Sequence, residues 1–304
     1  MNFDSQILNK DHLKIIITDS GLGGLSVQAI LDKELRKRKI KPHVELIFYN
    51  SLASHNYGYN TMSDEEEKIR VFDLALEGML KFKPDLILIA CNTLSVIYPK
   101  TNFSKKYDIP ILGIIESGID LIIQNINYDK DYAVMLFGTE TTISSKIHLD
   151  KLIEKGLNPS NIFSQSCKDL ESEIQIAPTS KNVKHLLTKY INEIRNNCIM
   201  NKNKYAVFCC THYGYSEKLF QEVLNEIFGS EVTILNPNKY VAHSIASGFS
   251  ENSNSEPRIK NFVYSKVDIS KKEINLLGSL LAIDSSQTAE AFKNYQNDTE
   301  LFKY

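Results

Sequence analysis

The stretch DLILIACNTLSVIYP, Asp85 to Pro99, decides how the chain is read. Five apolar residues in near succession end in Cys91, and a polar pair, Asn92-Thr93, opens a new amphipathic segment. Unbroken apolarity over so short a run is what a strand buried on both faces requires. The same layout returns in YAVFCCTHYGYSEKLF, Tyr205 to Phe220, where the run ends in Cys210 and the polar pair is Thr211-His212. Further runs of this kind are LKIIITD (13–19), VELIFYN (44–50), IPILGII (109–115), YAVMLFG (132–138) and VTILN (232–236). Between them lie helical segments. DEEEKIRVFDLALEGMLKF follows the cap material Ser63-Asp64, and SEKLFQEVLNEIFG closes on Gly229. Strands alternating with helices predict an α/β fold with mainly parallel sheets.

In open α/β sheets, ligands bind beyond the carboxyl ends of the strands. Here those ends are Asp19-Ser20-Gly21, Asn50-Ser51, Cys91-Asn92-Thr93, Gly138 to Thr141, and Cys210-Thr211-His212. Helix capping alone accounts for Ser20, Thr93 or Thr141. It does not account for two cysteines, because cysteine is not a favoured cap. A cysteine at a helix N-terminus is expected to have its thiolate favoured by backbone N–H groups and the helix dipole. Two such groups, one thiolate and one thiol, suit removal of a proton from one face of a carbon and its return to the other. Such a site must also stabilise a carbanionic transition state, for which Asn92, Thr93, Thr141 and Thr211 are the candidate donors.

Composition narrows the alternatives. The chain has 304 residues, is 42% hydrophobic and carries a formal charge of -2, which offers no footprint for nucleic acid or an anionic membrane. The basic cluster Lys33 to Lys41 reads as a solvated helix end. The polar start, MNFDSQILNKDHLK, lacks a signal-peptide core, and no apolar run approaches the ~20 residues of a membrane span. A cytoplasmic protein is therefore expected. The five cysteines are irregularly spaced and contain no C-x-x-C pair, so neither a disulfide framework nor zinc is expected. Cys209 is expected to pack opposite Cys210 by strand alternation, and Cys167 and Cys198 to be structural. Gly21, Gly23 and Gly24 form a G-x-G-G turn short of either nucleotide fingerprint, which suits close approach to a small substrate. Nothing in the chain calls for pyridoxal phosphate, metal or nucleotide. The segment from about Asn158 to Lys204 is less regular, SENSNSEP (250–257) reads as a loop, and the polar residues from Asp284 onward are expected to fray.

DSGLGGLS, ACNTLS, GTETTISS and CCTHYG follow one another in the order of the glutamate racemase motifs, and from about Ile15 to Ile283 the chain resembles that family of the aspartate/glutamate racemase superfamily. The resemblance implies two similar α/β domains, with the active site in the interdomain cleft. One would be residues 1–115 with 230–283, the other 116–229, and 284–304 would be a polar extension. It implies that Cys91 and Cys210 are the paired acid/base groups, working on the D- and L-enantiomers respectively. Asp19 would tune the first and His212 the second. Ser20, Asn92, Thr93, Thr139, Thr142 and Thr211 would hold the substrate's amino and carboxylate groups, and Asn50, Ser51, Tyr57 and Gly58 would border it. The implied enzyme interconverts L- and D-glutamate without a cofactor, supplies D-glutamate for peptidoglycan, and forms a homodimer.

The chain also departs from the family. Asn50-Ser51 replaces the usual Asp-Thr. Asn56 replaces a proline before Tyr57-Gly58, and Asn60 replaces a basic residue. Gly214 stands where a proline is usual. Register from Cys167 places Gln175 where a glutamate usually supports the histidine, with Glu171 and Glu173 nearby. A neutral residue there would no longer raise the histidine's pKa, giving a slower or directionally biased enzyme. Three other readings stay open at this point: the same cysteine pair acting on aspartate or another substrate, a degenerate homologue kept for binding, and an unrelated cysteine hydrolase using Cys210 and His212.

Overall fold

The computed structural model describes residues 10–55, 57–126, 131–196, 203–229, 232–251 and 256–304. Cys198, Asn56 and half of the 250–257 loop, residues 252–255, lie outside them. The chain divides into two units, Met1–Ile114 with Val241–Tyr304, and Ile115–Tyr240.

The first unit is built on a six-stranded sheet of order β10-β9-β2-β1-β3-β4. Its strands are β1 His12–Asp19, β2 His43–Asn50, β3 Leu86–Ile89, β4 Ile111–Gly113, β9 Ile259–Ser265 and β10 Gln296–Asn297. All neighbours pair in parallel. The apolar runs become central strands for the reason expected: Ile15, Ile16, Ile17, Leu46, Phe48, Ile87 and Leu88 are buried on both faces. The helix Glu65–Met79 starts where the sequence signals it. The Asp64 carboxylate accepts from the Glu66 N–H at 3.0 Å, and three glutamates fill the first turn, where the helix dipole favours them.

The second unit holds a four-stranded parallel sheet, β6-β5-β7-β8. Its strands are β5 Tyr132–Gly138, β6 Ile162–Ser166, β7 Asn203–Cys209 and β8 Thr233–Leu235. Its core joins Met135, Phe137, Leu170, Leu187, Phe208, Phe220 and Val223. The helix Glu217–Phe228 ends on Gly229 at φ +62, a left-handed C-terminal position where glycine avoids the Cβ penalty.

Two expected boundaries are corrected. Strand β8 belongs to the second unit's sheet, where Thr233 pairs with Tyr205, so the return to the first unit comes at Val241 and not at 230. Residues 284–304 are not a frayed extension. Ser286–Lys293 is a helix capped by Ser285, and β10 adds to the first sheet's edge. Two polar residues of this segment, Ser285 and Thr288, face inward: the buried Asp32 carboxylate, held also by Asn261 Nδ2 at 2.7 Å and Arg36 Nε at 2.9 Å, accepts from Ser285 Oγ at 2.7 Å, and Thr288 Oγ1 donates to Asn261 Oδ1 at 3.0 Å. Phe292, Leu301 and Phe302 supply the apolar anchors, and Phe302 stacks on Tyr49 at 6.2 Å between ring centroids. Truncating Phe302 to alanine is therefore expected to cost about 3 kcal/mol of stability. Urea unfolding followed by circular dichroism checks this, and an unchanged midpoint would return the tail to a dispensable role.

Candidate active site

In the first unit, Asp19 and Asn50 are register partners at the carboxyl ends of β1 and β2, and Cys91 follows β3 beside them. Cys91 is the N-cap of the short helix Asn92–Ile97, its sulfur accepting from the Leu94 N–H at 3.5 Å. Ser20 Oγ stands 3.1 Å from Cys91 Sγ and donates to Asp19 Oδ1 at 3.4 Å. Either of the two, the hydroxyl or the thiol, can donate to the other. Cys91, Ser20 and Asp19 thus form a chain along which a proton can pass. The expected pull of the helix terminus toward thiolate is present but outweighed. Burial, and then the Asp19 carboxylate, push the Cys91 thiol up to about 12 against the opposing pull of Ser20 and the Leu94 N–H.

Gly24 serves this arrangement directly. A Cβ placed there would lie 3.0 Å from Asp19 Cβ, 3.0 Å from Asp19 Oδ2 and 3.2 Å from Ala90 Cβ. The glycine leaves room for the carboxylate, a closer reason than approach to substrate.

Asn92 and Thr93 are buried at the start of the helix that Cys91 caps. The side chains of Asn50 and Ser51 turn into the fold. Asn50 Nδ2 donates to Ser265 Oγ at 3.1 Å while its Oδ1 accepts from the Leu52 N–H at 3.1 Å. Ser51 Oγ lies 2.7 Å from Thr18 Oγ1, and the Ser51 carbonyl accepts from Tyr59 OH at 3.2 Å. They shape the turn that carries Tyr57 and Gly58. Tyr59, fully buried, is a support that sequence reading passed over; its only signal was an aromatic beside Tyr57-Gly58.

In the second unit, Gly138 and Cys209 are register partners, so Thr139 and Cys210 leave adjacent strands at the same level. Thr139 Oγ1 donates to Thr142 Oγ1 at 3.1 Å and accepts from the Thr142 N–H at 3.3 Å. A 3-10 segment, Thr211–Ser216, follows Cys210, and the α-helix begins only at Glu217. His212 returns over the cysteine, with Nδ1 at 3.8 Å from Cys210 Sγ. On its other side, Nε2 lies 3.0 Å from Gln175 Oε1. The amide oxygen can only accept, so Nε2 carries a ring proton, and in the neutral ring Nδ1 then presents a lone pair to the thiol. Gln175, the residue that the register from Cys167 placed there, is at the histidine. Glu173 instead faces Asn182, whose Nδ2 donates to it at 3.4 Å.

Two asparagines missed in the sequence hold this loop. Asn238 Nδ2 donates to the Thr211 carbonyl at 2.9 Å, and Asn236 Nδ2 to Glu217 at 2.8 Å. A Cβ on Gly214 would lie 3.3 Å from both amides, which explains a glycine at that position. The N-P-N turn after β8 was the available signal. Cys209 and Cys167 are buried, and burial raises both thiols above their ordinary range, in keeping with packing roles.

Residues 18–239 match the family described as Asp/Glu/Hydantoin racemase, a span that takes in both cysteine sites. The chain belongs to that family. Among curated relatives of this racemase are the glutamate racemase of Aquifex pyrophilus, 28% identical over 71% of this chain and 77% of that one, and that of Fusobacterium nucleatum, 30% identical over 66% and 69%. The crystal structure of Francisella tularensis glutamate racemase in complex with D-glutamate superposes with a TM-score of 0.69, at 19% identity, over 95% of this racemase and 98% of that chain. That likeness supports the fold: two parallel sheets in an α/β chain. As a racemase, the enzyme is an isomerase.

Proposed function

We propose that this racemase interconverts L- and D-glutamate by a two-cysteine mechanism that needs no cofactor. The observation carrying the reading is that each strand-end cysteine has its own proton partner, Ser20 and Asp19 for Cys91, and His212 for Cys210.

In the L-to-D direction, Cys210 acts as the base. His212 Nδ1 takes the thiol proton, the thiolate removes the Cα proton, and the Cys91 thiol gives its proton to the opposite face. One C–H bond breaks and one forms, and Cys91 is left as thiolate. The reverse direction starts from that state, or from one in which the Cys91 proton has moved through Ser20 to Asp19. The developing negative charge on the substrate is met by buried donors, with Asn92, Thr93, Thr139, Thr142 and Thr211 as the proposed contacts. Asn50 and Ser51 act through the turn bearing Tyr57 and Gly58. The curated relatives' activity supports glutamate as substrate. A role in supplying D-glutamate for peptidoglycan, a cytoplasmic location and a homodimer accord with this reading.

The test is proton NMR of the purified protein with L-glutamate in D2O. Loss of the α-proton signal together with formation of D-glutamate supports the reading. A folded protein that leaves glutamate unexchanged removes it. Because Asn60 replaces a basic residue near the turn, aspartate and a mixed amino-acid panel are the next substrates for the same measurement.

A further inference from the structure

The tail that follows β10 reaches the turn carrying Tyr57. Asp298 N–H donates to the Ser265 carbonyl at 2.9 Å, Lys81 Nζ to the Glu300 carbonyl at 2.7 Å, Tyr49 OH to the Leu301 carbonyl at 3.1 Å, and Lys266 Nζ to the Phe302 carbonyl at 2.8 Å. Leu301 and Phe302 are buried beneath these bonds. The path of the next two residues is therefore set by a fixed base. Tyr304 lies with its ring under the Arg70 guanidinium, 5.1 Å from the centroid, and its hydroxyl donates to Glu67 Oε1. The other oxygen of the same carboxylate accepts from Tyr57 OH at 2.8 Å. Glu67 lies in the first turn of the helix Glu65–Met79, where the dipole favours its charge. The two phenol bonds, Tyr304's first, hold its carboxyl below the ordinary range.

Tyr57 packs, partly buried, against the core of this unit, and the carboxylate of Glu67 is the hydrogen-bond partner described for its hydroxyl. The internal bonds of that turn run from Thr61 and Met62 to the Gly58 carbonyl, and from the Tyr57 N–H to Ser54 at 3.3 Å. The proline expected before Tyr57, which would stiffen the backbone, is Asn56 here.

We propose that Tyr304 is a positioning residue for the substrate-side turn, acting through Glu67 on Tyr57. This rests on the glutamate racemase reading, in which that turn borders the substrate. Its effect belongs to substrate capture and not to proton transfer, because neither Tyr304 nor Glu67 touches either cysteine's proton partners in the contacts described.

The experiment is a cycle of Tyr304→Phe, Tyr57→Phe and the double variant, assayed by initial rates with L-glutamate, with hydrogen exchange followed over residues 52–62. Loss of a hydrogen bond to a charged group predicts that Tyr304→Phe raises KM about three- to tenfold with kcat within about twofold. Tyr57→Phe is expected to match it, and the double variant to be no worse than Tyr57→Phe alone. Exchange over 52–62 speeds up in Tyr304→Phe while the thermal midpoint holds. Additive KM effects, or faster exchange with KM unchanged, would overturn the proposal. Should the wild type racemise no amino acid, the functional reading fails separately. The exchange measurement still judges the link: unchanged protection of 52–62 overturns it, and lost protection upholds it.

Discussion

Replacing either Cys91 or Cys210 with alanine is expected to lower racemisation by at least about a thousandfold, the scale of a lost acid/base group. Exchange at Cα should nevertheless survive for one enantiomer in each variant. With Cys91 removed, Cys210 still removes the proton of L-glutamate and, after its thiol exchanges with D2O, returns deuterium to the same face. L-glutamate then becomes labelled and no D-glutamate forms. With Cys210 removed, the labelled product should be D-glutamate. Two complementary patterns of labelling distinguish this mechanism from one using a single base that works on both faces, for which one variant would be inert and the other normal. NMR in D2O combined with chiral chromatography reads both quantities. Racemisation at the wild-type rate in either variant would exclude the two-cysteine mechanism. Both side chains are small, so their removal should leave folding intact, which a thermal melt verifies.

The second large effect is expected from Gln175→Glu. In the structure the amide oxygen accepts the Nε2 proton at 3.0 Å, with Nδ1 toward Cys210. A carboxylate at the same point favours the imidazolium, and an imidazolium beside Cys210 favours its thiolate. The pair keeps the same number of protons, but a larger share sits as thiolate and imidazolium. About a tenfold gain in kcat/KM is expected, the equivalent of one pKa unit of charge stabilisation. The alkaline limb of the pH profile should move upward by about one pH unit, because the carboxylate raises the pKa at which the imidazolium loses its proton. The gain must be equal in both directions. L- and D-glutamate have the same free energy in an achiral solvent, so kcat/KM for the two directions cannot differ. A directional bias arising from Gln175 therefore appears only in kcat and KM taken separately. An unchanged profile in Gln175→Glu would mean that this position does not set the histidine's charge.

These expectations could be framed because much of the site was readable in the chain. Buried parallel strands print near-continuous apolar runs, and the residues that matter sit where those runs stop. Cys91, Cys210, Asp19 and His212 were legible for that reason. Gln175 was legible only through its register from Cys167 and the family resemblance, since a lone glutamine carries no pattern. Strand β6 was hidden because FSQS alternates little and only Ile162 at its start is buried. Strand β8 was seen, but three residues do not say which of two sheets they join; its pairing with β7 decides that. The tail misled because its serines, threonines and asparagines look solvated. Two of them are buried instead, Ser285 donating to the buried Asp32 and Thr288 to Asn261, and hydropathy does not distinguish a polar residue facing water from one facing a partner inside. The balance of influences on the Cys91 thiol was only half legible for a similar reason. The helix terminus is visible in sequence, whereas the burial and the neighbouring carboxylate that outweigh it are not.

The interrupted first unit has a consequence for synthesis. Asn50 at the end of β2 and its partner Ser265 at the end of β9 are 215 residues apart. On the ribosome, at about 5–20 residues per second, β2 waits roughly 10 to 40 seconds for its sheet neighbour. During that time the unit Ile115–Tyr240 is made whole and can close on local contacts, while β2 presents an unpaired and strongly apolar edge. Nascent chains halted shortly before Ile259 are therefore the species for which chaperone binding and aggregation should peak, and release of the last fifty residues should relieve both.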